Sequence, residues 1–373
     1  MGPISRFDAA GLSCRLAAEV ERELLPAKPP TVDWATHYAV VAASEAVADA
    51  GLDDVAGRPD IGISIGATKA GPELLEEAWL AMSSGGPMAA PDGMARNLSP
   101  GGVSEAVAAH LGLVGPRTAV AAACSTGAHN IIWAAEMVAA GHAEAAVAGS
   151  TDAPIVPTLF ASFANLRNVM TTHNERGPTA VRPFCATRDG LAMGEGAAAV
   201  VVEALDHARR RSATIYGELA GWALAAEAAH LTGLPTRPHV PARAICRALD
   251  MAHVLPSEID YICAHGTATR RNDPYETDAY TMALGEEARR VPISSIKAMV
   301  GHSMAAAAAI DAVATLLAME HGFVPATINY HQPDPQCDLD YVPNIARSHA
   351  VTCALSPSFA FGGHVGVLLF RKA

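Results

Sequence analysis

The clearest structural signal in this sequence lies in residues 117–140, RTAVAAACSTGAHNIIWAAEMVAA, where a β-rich run leads through Cys124 into an alanine-rich helical pattern. Residues 291–320, VPISSIKAMVGHSMAAAAAIDAVATLLAME, repeat this arrangement around His302. Each stretch places a reactive side chain where a strand ends and a helix begins. The sequence therefore predicts two halves of similar construction, each with a polar centre at the same kind of junction.

The rest of the chain alternates between β-rich runs and helical patterns. Strands are predicted at residues 60–65, 117–122, 144–149, 197–203, 259–264, 292–296, 351–355 and 365–370. Helices are predicted at residues 37–50, 104–111, 126–140, 242–252 and 304–320. This alternation is typical of an α/β protein with a parallel sheet covered by helices on both faces. Residues 227–240 contain two prolines and a glycine, which predicts a surface loop near the junction of the halves.

The composition is that of a globular enzyme with a large core. Half of the 373 residues are hydrophobic and only 17% are charged, which excludes a disordered chain. The formal net charge is −12 and no long Lys/Arg block occurs, so a nucleic-acid or anionic-membrane surface is disfavoured. Two short basic clusters, Arg209–Arg211 and Arg270–Arg271, are typical of solvated patches, and any acidic partner would have to be met locally.

The cysteines indicate reduced thiols. Their number, seven, is odd, they are widely scattered and no CxxC pair occurs, so neither a disulfide framework nor a zinc site is indicated. The N-terminus lacks the charged and apolar regions of a signal peptide, and no apolar run approaches the roughly 20 residues of a membrane span. We therefore expect a cytoplasmic protein without a membrane segment.

Cys124 is the predicted nucleophile. A free cysteine is more often an inert, buried hydrophobe, but this one lies between a strand and a helix and is followed by Ser-Thr-Gly. The N-terminus of a helix carries partial positive charge and free amide donors, which favour a thiolate and can hold an oxyanion. We expect the helix terminus and a neighbouring imidazole to lower the pKa of the Cys124 thiol.

His265 ends a predicted strand and opens a turn rich in glycine and threonine. A histidine in such a turn points into a cleft more readily than into a core, although a lone histidine is more often structural. Thr267 and Thr269 offer hydroxyl groups that could order a pantetheine-like arm or the imidazole itself. Asp273 and Glu276 follow closely and are predicted to cap and charge the next helix.

Two further segments carry polar groups in apolar surroundings. His302 lies five residues after Lys297 and nine before Asp311, and Lys297 and Asp311 form a plausible pair because an unpaired buried charge is costly. Near the C-terminus, Phe361 and Gly362 lie in SFAFGGH, where glycines allow close backbone approach. This segment suits an oxyanion-hole amide and a gate for an acyl pocket, or equally an ordinary turn before a strand.

Taken together, five ordered motifs resemble those of the β-ketoacyl-[acyl carrier protein] synthases, the ketosynthases of bacterial fatty-acid and type II polyketide assembly. They cover nearly the whole chain: ACSTG (123–127), RPFCATRDGLAMGEGA (182–197), HGTATRRND (265–273), SIKAMVGHSMAAAAAID (295–311) and SFAFGGH (358–364). The resemblance implies a thiolase-like five-layer αβαβα fold of two pseudo-repeated halves. Residues 1–210 would carry the nucleophile and residues 211–373 both catalytic histidines.

The resemblance also implies an acyltransferase cycle. Cys124 would take an acyl chain from the phosphopantetheine of an acyl carrier protein, and malonyl carrier protein would then lose carbon dioxide and attack the thioester. His265 and His302 would stabilise the enolate, and Lys297 with Asp311 would support His302. The amides of Cys124 and Phe361 would form the oxyanion hole. No metal and no bound cofactor is implied, and the protein would be a homodimer or pair with a related ketosynthase-like subunit.

The chain departs from the family pattern in several places. The family has a glycine-rich strand before GPISRFDAAG, so either the start is misassigned or the sheet lacks its first strand. The loss of a central strand would leave its neighbours unpaired, and we then expect stability to suffer. Cys185 stands where Asp is usual, Asp311 replaces Glu, and Ala360 replaces a flexible Gly, which could stiffen the gate. Arg270 and Arg271 lie where smaller residues are common, and we hypothesise that they contact the carrier protein.

Two other functions on the same fold remain open. One is a non-condensing acyltransferase, which would keep Cys124 but need not decarboxylate malonyl carrier protein. The other is a non-catalytic partner subunit that shapes its partner's cavity, as chain-length factors do; these typically lack the nucleophile. A metal hydrolase is disfavoured because the histidines and cysteines lack the short paired spacings of such sites.

Overall fold

The computed structural model describes residues 1–52, 54–69, 71–91, 94–99 and 101–373. The described residues form fourteen strands: β1 Gly2–Pro3, β2 Leu16–Ala18, β3 Ile61–Ala67, β4 Arg117–Thr118, β5 Ala145–Asp152, β6 Met193–Gly194, β7 Gly196–Glu203, β8 Glu218–Ala226, β9 Tyr261–Cys263, β10 Ile293–Ser294, β11 Phe323–Val324, β12 Arg347–Ser348, β13 Cys353–Phe359 and β14 His364–Arg371. They also form eleven α-helices: α1 Trp34–Asp49, α2 Pro72–Gly85, α3 Met94–Asn97, α4 Gly102–Leu111, α5 Thr126–Ala139, α6 Pro157–Ala164, α7 Leu205–Arg210, α8 His239–Ala252, α9 Asn272–Leu284, α10 Lys297–Val300 and α11 Ala307–His321. Every strand and helix predicted from the sequence overlaps one of these elements.

Two mixed sheets form the centre of the molecule. Sheet A has the strand order β4-β3-β5-β7, and sheet B has the order β10-β9-β13-β14-β8. In each sheet the first three strands are parallel, whereas β7 in sheet A and β14 and β8 in sheet B run antiparallel to their neighbours. The predicted parallel pairing is therefore present in the first three strands of each sheet and wrong for the strands that follow them. One reason is visible in the sequence, since only four residues join β13 to β14 and so short a connection forces antiparallel pairing.

The helices complete five layers. Helices α1 and α4 pack on one face of sheet A, and α5 and α11 lie between the two sheets. Helix α8 packs on the outer face of sheet B, where α9 joins the same hydrophobic core. This arrangement confirms the predicted αβαβα fold.

Close packing of the two central helices brings both predicted reactive junctions together. A Cβ atom on Gly127 of α5 would lie 2.3 Å from the amide nitrogen of Ala309 in α11, so only glycine allows this approach. Cys124 directly precedes α5, and His302 precedes α11 by one short 3-10 turn. The segment Met304–His321 is the one described helix long and apolar enough to cross a membrane, but 61% of it is buried in the protein, as expected of a core helix.

The two sheets follow the same strand order, with one difference. Matching β4, β3, β5 and β7 to β10, β9, β13 and β14 leaves β8 of sheet B without a counterpart in the described part of sheet A. Because β8 lies at the edge of its sheet, the position without a strand in sheet A is also an edge, next to β7. The expectation of a missing central strand is therefore wrong, and the pairing within sheet A is continuous. The division into residues 1–210 and 211–373 stays a prediction.

One predicted strand is much shorter than expected, and one long strand was not predicted. The sequence predicts a strand over residues 117–122, but only Arg117–Thr118 pairs with β3, because β4 is the last strand of its sheet. Strand β8 was missed altogether. Its sequence, ELAGWALAA, is rich in alanine and contains glycine, so it has low β propensity, and its pairing with β14 holds it in place.

Candidate active site

A cavity of about 540 Å³ opens where the N-terminal ends of α5 and α11 meet the carboxyl ends of the strands. Its lining includes the predicted nucleophile and both predicted histidines, Cys124, His265 and His302. Thr267, Thr269, Arg270, Arg271 and Phe361 also line it. The structure therefore brings together residues that lie as far as 237 positions apart in the chain.

The turn that carries Cys124 is held by its own side chains. The Ala122 amide donates to Thr126 Oγ1 (2.9 Å), and Thr126 Oγ1 donates to the Ala123 carbonyl (2.7 Å). Burial raises the pKa of the Cys124 thiol to about 11, although the charges of Lys69 and Lys297 oppose this effect. The expectation of a lowered pKa is thus wrong for the protein without substrate, because loss of hydration outweighs the nearby positive charges.

The two histidines are adjacent and differ in their hydrogen bonds. Their ring centroids lie 5.4 Å apart, with the planes nearly perpendicular. The Met304 amide donates to Nδ1 of His302 (3.2 Å), so the proton of the neutral ring lies on Nε2. Nδ1 of His265 is buried and has no hydrogen-bond partner among the described residues. The tautomer of His302 is therefore fixed by the backbone, whereas that of His265 is free to change.

Both imidazoles are neutral. Burial and then the charge of Lys297 lower the pKa of His302 to about 3. The same two causes, with a smaller contribution from His302, hold the pKa of His265 well below its usual value. Each ring can therefore donate an N–H hydrogen bond at physiological pH without carrying a charge.

Glu276 holds the turn that contains His265. Its carboxylate accepts hydrogen bonds from the amides of His265 (2.6 Å) and Gly266 (2.8 Å), from Asn272 Nδ2 (3.0 Å) and from the hydroxyl of Tyr280. Burial raises its pKa to about 7 despite these bonds. The predicted capping of the next helix is wrong, because the N-cap of α9 makes no side-chain hydrogen bond and Glu276 lies further along the helix. The predicted negative charge near the start of this helix is present, because Asp273 lies in its first turn.

Asp273 ties α9 to a different segment. Its Oδ2 accepts a hydrogen bond from the Phe184 amide (2.7 Å) and lies 3.9 Å from Nε of Arg188. Burial raises the pKa of this carboxyl to about 6, and the Arg188 charge opposes the rise. Asp273 therefore also connects elements behind the cavity and does not cap α9.

The predicted pairing of Lys297 with Asp311 is present. Lys297 Nζ donates to Asp311 Oδ2 at 2.6 Å, and both side chains are 2% exposed. Burial raises the pKa of Asp311, and the Lys297 charge opposes that rise. The ammonium is thus held by Asp311, and its charge helps to lower the pKa values of both histidines.

In the C-terminal segment SFAFGGH, the neighbouring residues Phe361 and Gly362 make different contacts. The Gly362 amide donates to the Leu231 carbonyl (2.7 Å), so it is not available to a substrate. Outside helices and strands of the described chain, no such backbone bond is made by the amides of Cys124 and Phe361, the two that are predicted to form the oxyanion hole. The Phe361 ring stacks on Phe163 with centroids 6.1 Å apart. Thr267 and Thr269 bond to each other through their hydroxyls (3.1 Å).

Three of the ten described non-glycine residues with positive φ lie beside the three reactive side chains. Ala123 (φ 47°) directly precedes Cys124, Ala268 (φ 63°) lies in the His265 turn, and Met304 (φ 50°) follows His302 by two positions. Residues other than glycine rarely adopt this left-handed conformation, which costs of order 1–3 kcal/mol at each position and is found mainly at functional sites. Each of the three turns that carry a reactive side chain thus contains one strained residue.

The sequence reading missed several residues at the cavity. Exposed Arg167 joins Arg270 and Arg271 in the lining, which places three arginines at the mouth of a site in a protein of net charge −12. Lys69 and Asp152 do not line the cavity, but their charges act on the Cys124 thiol. Asp152 is buried, its Oδ1 has no partner among the described residues, and the Lys69 charge opposes the rise that burial causes in its pKa. The sequence contained a signal for this pair. Lys69 follows β3 and Asp152 ends β5, and the carboxyl ends of these neighbouring parallel strands meet at one edge of the sheet.

Comparisons with known proteins agree on one family. A model described as the beta-ketoacyl synthase N-terminal domain matches residues 11–208, and the C-terminal domain model matches residues 216–331. The chain is 41% identical over 372 residues to the tetracenomycin polyketide synthase ketoacyl synthase alpha subunit of Streptomyces glaucescens, covering 96% of this chain and 87% of that protein. It is 38% identical over 378 residues to 3-oxoacyl-[acyl-carrier-protein] synthase 2 of Synechocystis sp., covering 100% of this chain and 91% of that protein. The solved structure of the ishigamide ketosynthase/chain length factor aligns with a TM-score of 0.90 at 35% identity, over 100% of this chain and 91% of that one.

Proposed function

The chain belongs to the β-ketoacyl synthase family, and on that premise we propose that it extends an acyl chain held on Cys124 by decarboxylative condensation with malonyl carrier protein. One observation carries this proposal. Two neutral imidazoles share a single cavity with the thiol, and one of them, His302, is fixed by the backbone as an Nε2–H donor. Neutral N–H donors in a buried site are suited to a developing enolate oxygen.

In the first half of the cycle the acyl chain moves to Cys124. The sulfur attacks the carbonyl of an acyl-pantetheine thioester, the new C–S bond forms, and the bond to the pantetheine sulfur breaks. The thiol proton ends on the departing pantetheine thiol. We assign this proton transfer to His265, because the tautomer of His265 is free to change and that of His302 is not. The amides of Cys124 and Phe361 hold the carbonyl oxygen while it carries negative charge, and loss of one such donor costs about 3 kcal/mol in other acyl transfers.

In the second half malonyl carrier protein enters. Its carboxylate leaves as carbon dioxide, and the electrons of the broken C–C bond form an enolate whose oxygen accepts hydrogen bonds from His265 and His302. The enolate carbon then attacks the thioester on Cys124, a C–C bond forms, and the bond from the carbonyl carbon to the Cys124 sulfur breaks. The sulfur leaves as a thiolate and takes up one proton from solvent, because loss of carbon dioxide from a carboxylate releases none. Lys297 supports this step through its charge, which disfavours protonation of both rings. Glu276 positions the His265 turn, and Asp311 positions Lys297.

The substrates would arrive on the phosphopantetheine of an acyl carrier protein, and the protein itself would hold no cofactor. The arginines at the cavity mouth, Arg167, Arg270 and Arg271, suit the phosphate of that arm or the acidic face of the carrier. Arg270 is exposed and free to turn toward a partner, whereas Arg271 already donates to the Leu234 carbonyl (2.6 Å). Thr267 and Thr269 would order the pantetheine arm inside the cavity.

The protein would act in the cytoplasm as a homodimer or beside a related ketosynthase-like subunit. All seven cysteines are free, which suits a reducing compartment. Strand β4 ends sheet A with a single strand neighbour in the described chain, and the apolar stretch that follows it, residues 119–121, is half-buried to exposed. A similar edge on a second subunit could pair with it. The ketosynthase of the ishigamide system is itself named together with a chain length factor.

The decisive experiment measures two events in one reaction. Carbon dioxide release from labelled malonyl carrier protein is recorded together with mass spectrometry of Cys124, in wild type and in Cys124→Ala, His265→Ala and His302→Ala. A condensing enzyme shows acylation that requires Cys124 and decarboxylation that requires both histidines. Acylation without decarboxylation would instead identify a plain acyltransferase, and the absence of both would identify a non-catalytic partner subunit.

A further inference from the structure

Lys69 carries a positive charge close to the nucleophile, and the proposed cycle does not use it. The residue is half-buried and lies just beyond the end of β3. Its Nζ is 5.7 Å from the centre of the Phe163 ring, and Phe163 lines the active-site cavity together with Cys124. The Phe163 ring in turn stacks on Phe361. The Lys69 ammonium therefore lies against an aromatic side chain of the cavity wall.

This ammonium has no anionic partner in contact with it among the described residues. Its hydrogen bond there is a long one, donated to Oγ1 of the adjacent Thr68 at 3.3 Å. Oδ2 of Asp152 accepts from the Thr68 hydroxyl and from the Ala305 amide (2.9 Å), and Lys69 influences this carboxylate through its charge. A half-buried ammonium with so little compensation for its lost hydration is suited to a ligand that brings an acceptor.

Lys69 lies on the side of the thiol that faces away from the histidines. Its charge lowers the pKa of the Cys124 thiol, more strongly than the charge of Lys297 does. Lys297 also lowers the pKa values of His265 and His302, whereas Lys69 affects neither. In the proposed cycle the malonyl unit occupies the side of the histidines. The side of Lys69 is therefore left for the acyl chain that Cys124 holds.

We propose that Lys69 selects the acyl chain transferred to Cys124 by binding a carboxylate at the far end of that chain, so that the donor is the monothioester of a dicarboxylic acid. This inference rests on the proposed function, because it requires an acyl chain on Cys124. The flexible four-carbon side chain of Lys69 lets the ammonium turn past Phe163 into the cavity. A carboxylate fits better than a neutral oxygen, since hydrogen bonds between charged groups are roughly twice as strong as neutral ones.

The test follows acylation of Cys124 by mass spectrometry, with free pantetheine thioesters as donors so that carrier contacts play no part. Dicarboxylic donors of four, five and six carbons are compared with unbranched acyl donors of the same lengths. In each donor the Cys124 sulfur displaces the pantetheine sulfur, and the distal carboxylate takes no part in the exchange. Lys69→Met keeps the length of the side chain and removes its charge, whereas Lys69→Arg keeps the charge. Lys372→Met removes an exposed lysine and serves as the control.

The readout is the ratio of the acylation rate with a dicarboxylic donor to the rate with the plain donor of equal length. This ratio separates two effects of Lys69, because loss of its charge also acts on the Cys124 thiol and slows both donors alike. At the best chain length we expect a ratio of about ten or more for wild type. Lys69→Met should lower this ratio about ten-fold, Lys69→Arg should restore most of it, and Lys372→Met should leave it unchanged.

The other outcomes overturn the inference in distinguishable ways. A ratio near one in wild type, with both donors acylating Cys124, would refute selection by Lys69 and leave the proposed function intact. Absence of acylation by every donor, carrier-bound donors included, would refute both. A 5-oxohexanoyl donor that matches the six-carbon dicarboxylic donor and depends equally on Lys69 would show that the ammonium binds a neutral oxygen. A preference that survives Lys69→Met and is lost in Arg167→Met would place the carboxylate at the cavity mouth.

Discussion

Removal of the Lys297 ammonium would test the buried ion pair directly. Lys297→Met keeps a side chain of similar length and leaves the Asp311 carboxylate without its partner at 2% exposure. Loss of one member of a buried pair costs about 3–5 kcal/mol, because the remaining group is neither hydrated nor compensated. We expect the free energy of unfolding to fall by about that amount.

The double variant Lys297→Met/Asp311→Leu separates the structural role from the catalytic one. Apolar side chains of similar volume often replace a buried pair at little cost, so the double variant should recover most of the lost stability. His265 and His302 would then lack the nearby positive charge, and the pKa of each should rise, although burial still holds it low. If Lys297 serves the reaction, this stable variant still releases carbon dioxide more slowly than wild type.

Urea unfolding, acyl-Cys124 mass spectrometry and labelled carbon dioxide release give the three readouts. Lys372→Met removes an exposed lysine near the C-terminus and should change none of them. A double variant as unstable as Lys297→Met alone would refute the reasoning from the ion pair. A stable double variant with wild-type carbon dioxide release would show that Lys297 is purely structural.

Three further predictions concern titration and the carrier protein. The pKa of His302 is about 3 in the folded protein against an ordinary value of 6.5, so its contribution to stability is complete above pH 6.5 and is lost as the pH falls toward 3. In urea unfolding, wild type should lose on the order of 4 kcal/mol of stability over this range relative to His302→Asn. Stability curves that stay parallel for the two proteins would contradict this prediction. The pKa of Glu276 is raised to about 7 from 4.5, so the folded state holds its proton more tightly than the unfolded state does. As the pH rises from 4.5 to 7, the free energy of unfolding of wild type should fall by about 3 kcal/mol relative to Glu276→Gln. A difference in stability between the two proteins that stays constant over this range would be evidence against this. Arg270→Glu should raise the KM for a carrier-bound thioester about ten-fold and leave the KM for a free pantetheine thioester unchanged. The control Arg209→Glu should change neither KM, because Arg209 does not line the cavity. Equal effects of Arg270→Glu on both substrates would contradict a carrier contact.

The parts of the site that the sequence predicted correctly are local. Cys124 lies between a strand and a helix as predicted, and His302 lies just before α11, although the short helix α10 separates it from β10. The order of the longer elements follows from hydrophobic pattern and composition alone. The pairing of Lys297 with Asp311 was also accessible, because two charged residues in one apolar segment have few alternatives to each other. The resemblance to the ketosynthases then predicted that these separate local features come together in one fold.

The features that the sequence did not reveal depend on contacts between distant segments. Strand β8 has no strand signal of its own and forms because β14 offers it an edge. Glu276 has the spacing of a residue near a helix start, but its carboxylate turns back to the His265 turn, which only the packing of α9 can show. The direction of the Cys124 pKa shift depends on how completely the cavity excludes water, and a sequence does not report that.

A single physical quantity, the loss of hydration, sets the protonation state of the whole catalytic set. The same burial raises the pKa of Cys124 and lowers the pKa of His265 and His302, so the resting site holds a thiol and two neutral imidazoles. The thiol therefore ionises only as a substrate accepts its proton. A malonyl carboxylate that enters this cavity loses hydration as well, and release of carbon dioxide moves its charge to an enolate oxygen for which neutral N–H donors are already in place. Burial thus favours the decarboxylation step for the same reason that it disfavours a resting thiolate.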